Sequence, residues 1–252
     1  MPKHIYNLKK DPVDTRDKLF TVKPAINMPK SADLRPQFST IYNQGDLGSC
    51  TANAIAAVLD FIHVQDHGLP FVFPSRLFIY YFERLMEGSV DQDAGACIRD
   101  GIQVVVKEGA CPETVWPYDT SKFTVKPGDD AVTAALKYQA LEYVRIPFNS
   151  LLGIKQTLVD GHPLVCGIQV YDSFESDDVA KTGMVPMPNV FTEQLCGGHA
   201  VSIVGFDDAA GHFIMRNSWG EDWGDNGYFY LPYAFIANPS LTSDIWTIKK
   251  AE

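Results

Sequence analysis

Residues 44–54 read Gln44-Gly45-Asp46-Leu47-Gly48-Ser49-Cys50-Thr51-Ala52-Asn53-Ala54, a turn-rich segment that runs into the apolar series Ile55, Ala56, Ala57, Val58, Leu59, Phe61 and Ile62. Gly45 and Gly48 permit tight backbone geometry, and from Thr51 onward composition and apolar spacing predict a helix. Cys50 then sits at or just before a helix N-terminus, where unpaired backbone donors favour a thiolate and lower the thiol pKa. A free cysteine that opens a buried helix fits this segment equally well.

Two downstream stretches separate those readings. Gly197-Gly198-His199-Ala200-Val201-Ser202-Ile203-Val204-Gly205-Phe206 places a histidine at the head of a β-type run. Asn217-Ser218-Trp219-Gly220-Glu221-Asp222-Trp223-Gly224-Asp225-Asn226-Gly227-Tyr228 follows it. Together with the opening stretch, these resemble the papain-like cysteine peptidases, and specifically their compact bacterial members. The resemblance implies Cys50 as nucleophile, His199 as base, Asn217 as the residue that orients the histidine, and Gln44 as a side-chain oxyanion donor. Trp219 would shield the His–Asn bond from water. It also implies an α+β, two-lobed fold, with a helical N-terminal lobe, a β-rich C-terminal lobe and the active site between them. Three departures stand out. Leu47 occupies a position where secreted relatives usually carry a disulfide cysteine. Thr51 replaces the usual aromatic after the nucleophile. Gly197 and Gly198 leave little side-chain bulk beside His199.

Composition agrees with a soluble enzyme. At 252 residues the chain can bury a substantial core. Its hydrophobic fraction of 46% contains no apolar run long enough to cross a membrane. The net charge of −10 argues against general nucleic-acid binding. The opening Met1-Pro2-Lys3-His4-Ile5-Tyr6 lacks the apolar core of a secretory signal, which points to a cytoplasmic protein or to export by another route. Among five cysteines, Cys97 and Cys111 bracket an expected helix at 98–108, whose ends lie about 15 Å apart, beyond disulfide reach. Cys166 reads as a core thiol, and Cys196 is close to His199 in sequence, which does not by itself give it a second catalytic role. No Cys/His spacing supports a metal centre.

In chain order, residues 1–34 are punctuated by Pro12, Pro24 and Pro29. They read as a strap across the surface in preference to a segment that occupies the cleft; Asp33-Leu34-Arg35 resembles the start of the mature enzyme. The peptidase domain then covers 35–252, mainly helical to about 125 and β-rich from about 126. A helix capped by Ser75 is expected over 75–85. The acidic, glycine-containing loop 88–95 follows; by resemblance it forms the non-helical wall of the cleft. Gly95 there, with Gly197 and Gly198 opposite, would bind substrate backbone. Residues 130–141 read as a surface helix with Leu136 and Ala140 packed inward. Strands are expected at 143–146, 164–170, 200–206, 212–217, 228–231 and 244–248, with a helix at 151–159. The segment 172–189 reads as a loop. His63 and His67 have ligand-like spacing but no third partner, and read as solvated helix residues.

The implied activity is a cysteine endopeptidase acting through a covalent acyl-enzyme on peptide or protein substrates, without metal or organic cofactor. An exopeptidase, deamidase or acyltransferase on the same triad is the enzymatic alternative. A non-catalytic binding relative would have lost Cys50, His199 or Asn217, and all three are present. Oligomeric state is not legible in the sequence.

Overall fold

The computed structural model describes residues 4–23, 27–68, 70–147 and 150–252. Its centre is α1 (Cys50–His67), in which every residue from Cys50 to His63 is buried. A helix apolar on nearly all sides must be enclosed on all sides. α2 (Arg76–Met86) and α3 (Ile98–Lys107) cover it on one side and the sheet covers it on the other. Gly68 stops α1 in the left-handed region at φ 63°, its N–H donating to the Val64 carbonyl at 2.8 Å. Ser75 caps α2 as the sequence suggests, its Oγ accepting the Phe78 N–H at 3.1 Å.

The C-terminal half forms one sheet. Its strands are β2 (Ala140–Arg145), β3 (Leu164–Tyr171), β4 (Leu195–Asp207), β5 (His212–Arg216), β6 (Tyr228–Pro232) and β7 (Thr242–Ala251), arranged in the order β2-β7-β3-β4-β5-β6. A further strand, β1 (Ser31–Asp33), pairs antiparallel with β4, setting Asp33 against Gly205. Sequence reading places these residues in the leader and misses the strand, because three mostly exposed residues carry no period of their own. The long β4 holds His199 opposite Ile168 of β3, and packs against α1. The nucleophile helix and the base strand are thereby in contact.

Three expectations are corrected. The helix over 130–141 is α4 (Asp129–Ala135). Leu136 is 49% exposed, and Ala140 is buried as the first residue of β2. The helix expected at 151–159 is α5 (Leu151–Val159), and the segment 172–189 contains a 3-10 turn (Asp172–Glu175) and the short helix α6 (Asp177–Thr182), whose N-cap is Ser176. His63 is buried: its Nδ1 hydrogen-bonds the Glu252 carbonyl at 2.8 Å, so only His67 of the pair is exposed. The five cysteines are free, and Cys166 is fully buried in β3. No helix among the described residues is long and apolar enough to cross a membrane.

Residues 11–20 are fastened to the body. The buried Asp11 carboxylate accepts the Arg99 N–H at 3.0 Å and the Trp246 indole N–H at 2.8 Å. Arg99 holds Asp17 through two bonds of 3.0 and 2.6 Å, and Arg145 links Asp17 to Asp244 at 2.7 and 2.6 Å. Phe20 N–H donates to the Arg145 carbonyl, and Arg145 N–H to the Lys18 carbonyl, each at 2.8 Å. Paired, hydrogen-bonded charges of this kind are costly to break one at a time. These contacts hold residues 11–20 against the body of the protein.

Candidate active site

Cys50 is the first residue of α1 and is 1% exposed. The backbone N–H groups of Ala200, Thr51 and Cys50 itself bear on its sulfur. Ala200 directly follows His199, so the thiol lies against the strand that carries the base. His199 is fully buried; its Nε2 meets Asn217 Oδ1 at 2.9 Å. Asn217 Oδ1 also accepts the Ser218 N–H at 2.9 Å, which fixes the amide with its oxygen toward the ring. A neutral His199 therefore carries its proton on Nε2. Nδ1, buried and unpartnered among the described residues, is left to exchange a proton with the nucleophile. The Trp219 indole stacks on His199, centroids 4.9 Å apart and planes 22° apart, and is 8% exposed. The indole thereby covers one face of the ring that makes the His–Asn bond.

Gln44 is 1% exposed. Ser218 Oγ donates to its Oε1 at 2.7 Å, and its Nε2 donates to the Leu47 carbonyl at 3.0 Å. Those two bonds fix the amide plane and leave its second N–H as the one suited to an oxyanion. The turn between Gln44 and Cys50 is tied down from outside. Asp93 accepts the Gly48 N–H with both carboxylate oxygens, at 3.1 and 3.0 Å. Tyr118 donates to the Gln44 carbonyl at 2.9 Å.

The papain family cysteine protease model matches residues 28–238. The chain belongs to the papain family of cysteine proteases. Xylellain, a cysteine protease from Xylella fastidiosa, superposes with a TM-score of 0.92 at 40% identity, covering 100% of this chain and 98% of that one. An uncharacterized peptidase C1-like protein of Acanthamoeba polyphaga mimivirus is 46% identical over 222 residues, 85% of this chain and 71% of the other. Chymopapain of Carica papaya is 27% identical over 227 residues, and the match spans 57% of its length. The chain is a papain-like cysteine peptidase with the two-lobed α+β fold of that family, and peptides or proteins are its substrates.

Within this papain-type cleft lies a segment that sequence reading had assigned to the surface. Residues 4–9 run between the two walls. Leu8 N–H donates to the Gly198 carbonyl and Lys9 N–H to the Ala96 carbonyl, each at 3.1 Å; Asn7 bridges in parallel to Gly198 and Lys9 to Cys97. The Asn7 side chain donates to the Asp93 carbonyl at 3.0 Å. His4 stacks on Trp219, and Tyr6 stands edge-on to His199, centroids 5.9 Å apart. The preference for a strap across the surface is thus corrected for residues 4–9. An extended segment with two sheet-like walls on offer satisfies its backbone there better than on open surface. The alternation of Tyr6 and Leu8 with Asn7 and Lys9 was the available signal.

Gly95, Gly197 and Gly198 line that gap. Gly95 has φ 65° and Gly197 φ 143°; a Cβ at Gly95 or Gly197 would collide with the backbone of Asn7 or Tyr6, and one at Gly198 would sit tightly against the Leu8 carbonyl at 3.0 Å. Close approach of an extended chain is what their missing side chains permit.

The enclosed site has an unusual charge state. Burial pushes the Cys50 thiol up to about 12, against the amides around it, and the Glu83 carboxyl adds to the rise. Burial pushes His199 down to about 4, against the pull of Asn217. The helix N-terminus alone was expected to lower the thiol; exclusion of water outweighs it here. Enclosed in this way, the thiol and the imidazole are both held toward their neutral forms.

Glu83 and Glu175 were missed by sequence reading. The Glu83 carboxyl is fully buried and accepts the Thr51 hydroxyl at 2.7 Å, so Thr51 and Glu83 together stand behind the nucleophile. Among the described residues, Glu87, Cys97 and Asp100 gather three donor atoms within 4.8 Å, and the Lys9 ammonium pairs with Glu87 there.

Proposed function

We propose that this chain hydrolyses internal peptide bonds of extended polypeptides, and that residues 4–9 keep it latent until they leave the cleft. The observation that carries the chemistry is the His199–Asn217 bond beneath Trp219, on the strand against which the Cys50 thiol lies. Departure of residues 4–9 admits water and substrate, removing the burial that keeps both groups neutral. Cys50 then gives its proton to His199 Nδ1 and attacks the carbonyl carbon as thiolate. The oxyanion forms before the Cys50 N–H and the second Gln44 N–H. His199 returns the proton to the departing amine as the carbon–nitrogen bond breaks, leaving a thioester. Water, deprotonated by His199, attacks the thioester; the acid leaves and Cys50 regains its proton.

Because His199 protonates the leaving amine, the C-terminal part of a substrate lies toward Trp219 and its N-terminal part toward Gly95. Residues 4–9 run the other way, with His4 on Trp219 and Lys9 on Ala96. Reversed polarity lets the segment fill the cleft without presenting a correctly oriented carbonyl.

Intact mass after treatment with an irreversible, peptide-like thiol probe tests this reading. We expect slow labelling of the full chain, fast single-site labelling of a Tyr6→Ala/Leu8→Ala variant, and none when Cys50→Ala is added. A folded Tyr6→Ala/Leu8→Ala variant that resists the probe would refute the peptidase mechanism. Equal, fast labelling with and without these substitutions would refute latency alone.

A further inference from the structure

The residue after the nucleophile is held from two directions. Thr51 follows Cys50 in the first turn of α1, and its backbone N–H bears on the Cys50 sulfur. Its buried hydroxyl donates to Glu83 Oε2 at 2.7 Å. Thr51 thereby ties the peptide beneath the sulfur to a carboxyl of α2 that the triad chemistry leaves unused. A threonine in place of the aromatic usual at this position supplies the short hydroxyl arm that such a link requires.

The carboxyl sits in a closed niche. Glu83 is fully buried, and its Oε1 has no hydrogen-bond partner among the described residues. Gly101, inside α3, makes room for it: a Cβ there would collide with Glu83 Oε1 and with the Ile55 side chain of α1. Glycine weakens a helix interior, and this close approach is a reason for its presence. The charged groups that act on Glu83 are Arg84 and Glu87 of α2 and Asp100 of α3. Arg84 directs its donors to the carbonyls of Tyr80, Val90, Gln92 and Phe123, and Lys9 of the cleft segment pairs with Glu87. α1 contributes Thr51 and the Cys50 thiol. A carboxylate with one bare oxygen in such a niche is costly, and a carboxylic acid much less so.

We infer that Thr51 and Glu83 are a positioning pair for the nucleophile, and that the pair supports catalysis only while Glu83 holds a proton. The inference rests on the peptidase reading above. With Glu83 neutral, the bond to Thr51 fixes the first turn of α1, whose N–H groups face the thiolate and the oxyanion. When Glu83 releases its proton to solvent, a negative charge lies behind the sulfur in a water-poor interior. The thiolate–imidazolium pair then reverts toward thiol and imidazole. Burial first, with Glu87 and Asp100 adding, sets this ionisation at about 8 in the closed chain. Departure of Lys9 with the segment leaves Glu87 without its ammonium, which holds the proton on Glu83 more firmly in the open enzyme. The site is thus turned down on the alkaline side by a group that never meets substrate.

The full-length Tyr6→Ala/Leu8→Ala chain, with Glu83→Gln, Thr51→Val or Thr51→Ser added singly, tests this. Hydrolysis of fluorescein-labelled casein gives kcat and KM from pH 5 to 10, and circular dichroism at each pH checks the fold. Glu83→Gln keeps an acceptor for Thr51 and cannot ionise, so the alkaline limb of kcat/KM should move up by about one pH unit. Thr51→Val keeps the shape without the hydroxyl and should lower kcat about tenfold with KM nearly constant. Thr51→Ser should restore most of that loss. An alkaline limb that Glu83→Gln leaves in place, or an unchanged kcat in folded Thr51→Val, overturns the inference while the peptidase stands. Should Thr51→Val fail to fold, the limb of Glu83→Gln decides alone. Absence of hydrolysis by the parent Tyr6→Ala/Leu8→Ala chain at every pH overturns the peptidase reading and this inference with it.

Discussion

The His4 imidazole lies flat on the Trp219 indole, centroids 3.9 Å apart and planes 6° from parallel, while the same indole stacks on His199. One ring thus joins the N-terminal segment to the base of the triad. The contact makes dehydration of the site depend on residues that precede the peptidase core by some thirty positions in the chain.

Loosening that segment should uncover the thiol without unfolding the protein, because the Asp11, Asp17, Arg99 and Arg145 network anchors the chain independently. We expect Tyr6→Ala/Leu8→Ala to raise the rate of Cys50 alkylation by iodoacetamide at least about tenfold. The urea midpoint should change little, since Tyr6 and Leu8 are only partly buried at the edge of the main core. A large fall in the midpoint with no gain in alkylation would show that residues 4–9 serve stability and not latency.

The pH dependence of alkylation should differ between the two forms. In the latent chain the thiol ionises only as the pH approaches about 12 and His199 gains a proton only near 4. No thiolate–imidazolium pair is populated between those limits, so alkylation should climb steadily on the alkaline side. Once the segment is loosened, hydration favours the ion pair, and a plateau should begin below neutrality. Rate profiles from pH 4 to 10 on both proteins test this; superimposable profiles would count against it.

In the proposed mechanism Gln44 offers its second N–H to the oxyanion, with its amide plane set by Ser218 and Leu47. Gln44→Ala in the loosened chain should lower kcat by about 10²–10³ with a small change in KM. Ser218→Ala, which frees the amide to rotate, should produce a milder loss of the same type. A Gln44→Ala variant with a raised KM and unchanged kcat would remove Gln44 from the transition state.

Glu83 provides a test in the core. Burial first, with the nearby Glu87 and Asp100 adding, raises its carboxyl from 4.5 to about 8. The folded state therefore holds a proton that the unfolded chain has already lost between those values. Its contribution to stability is complete below about pH 4.5 and is lost as the pH rises through 8, with a slope of up to ~1.4 kcal/mol per pH unit. Glu83→Gln keeps an acceptor for Thr51 and does not ionise. Urea melts from pH 5 to 9 should show a flatter decline for the variant, and parallel curves would exclude this role.

Much of this protein was legible from short-range pattern. The turn before Cys50, the apolar run of α1, the Ser75 cap and the strands that carry His199 and lead to Asn217 are set by glycine positions, capping chemistry and local periodicity, which need no distant partner. The family resemblance supplied the roles of Cys50, His199, Asn217 and Trp219, and the geometry brings those residues together. Where local pattern was weak, reading failed: 130–141 had enough helical character to suggest three turns, but Ala140 gains more by pairing in β2.

What the sequence alone determined is the set of reactive groups and the elements that carry them, since both are written in residue type and spacing. Tertiary structure decided their state. The path of residues 4–9, the burial of Glu83 behind Thr51 and the placing of Glu175 at the end of the Tyr6 ring all depend on contacts between residues from 32 to well over a hundred positions apart in the chain. Burial then governs ionisation: a thiol that a helix N-terminus would activate in water is held toward its neutral form where the fold encloses it.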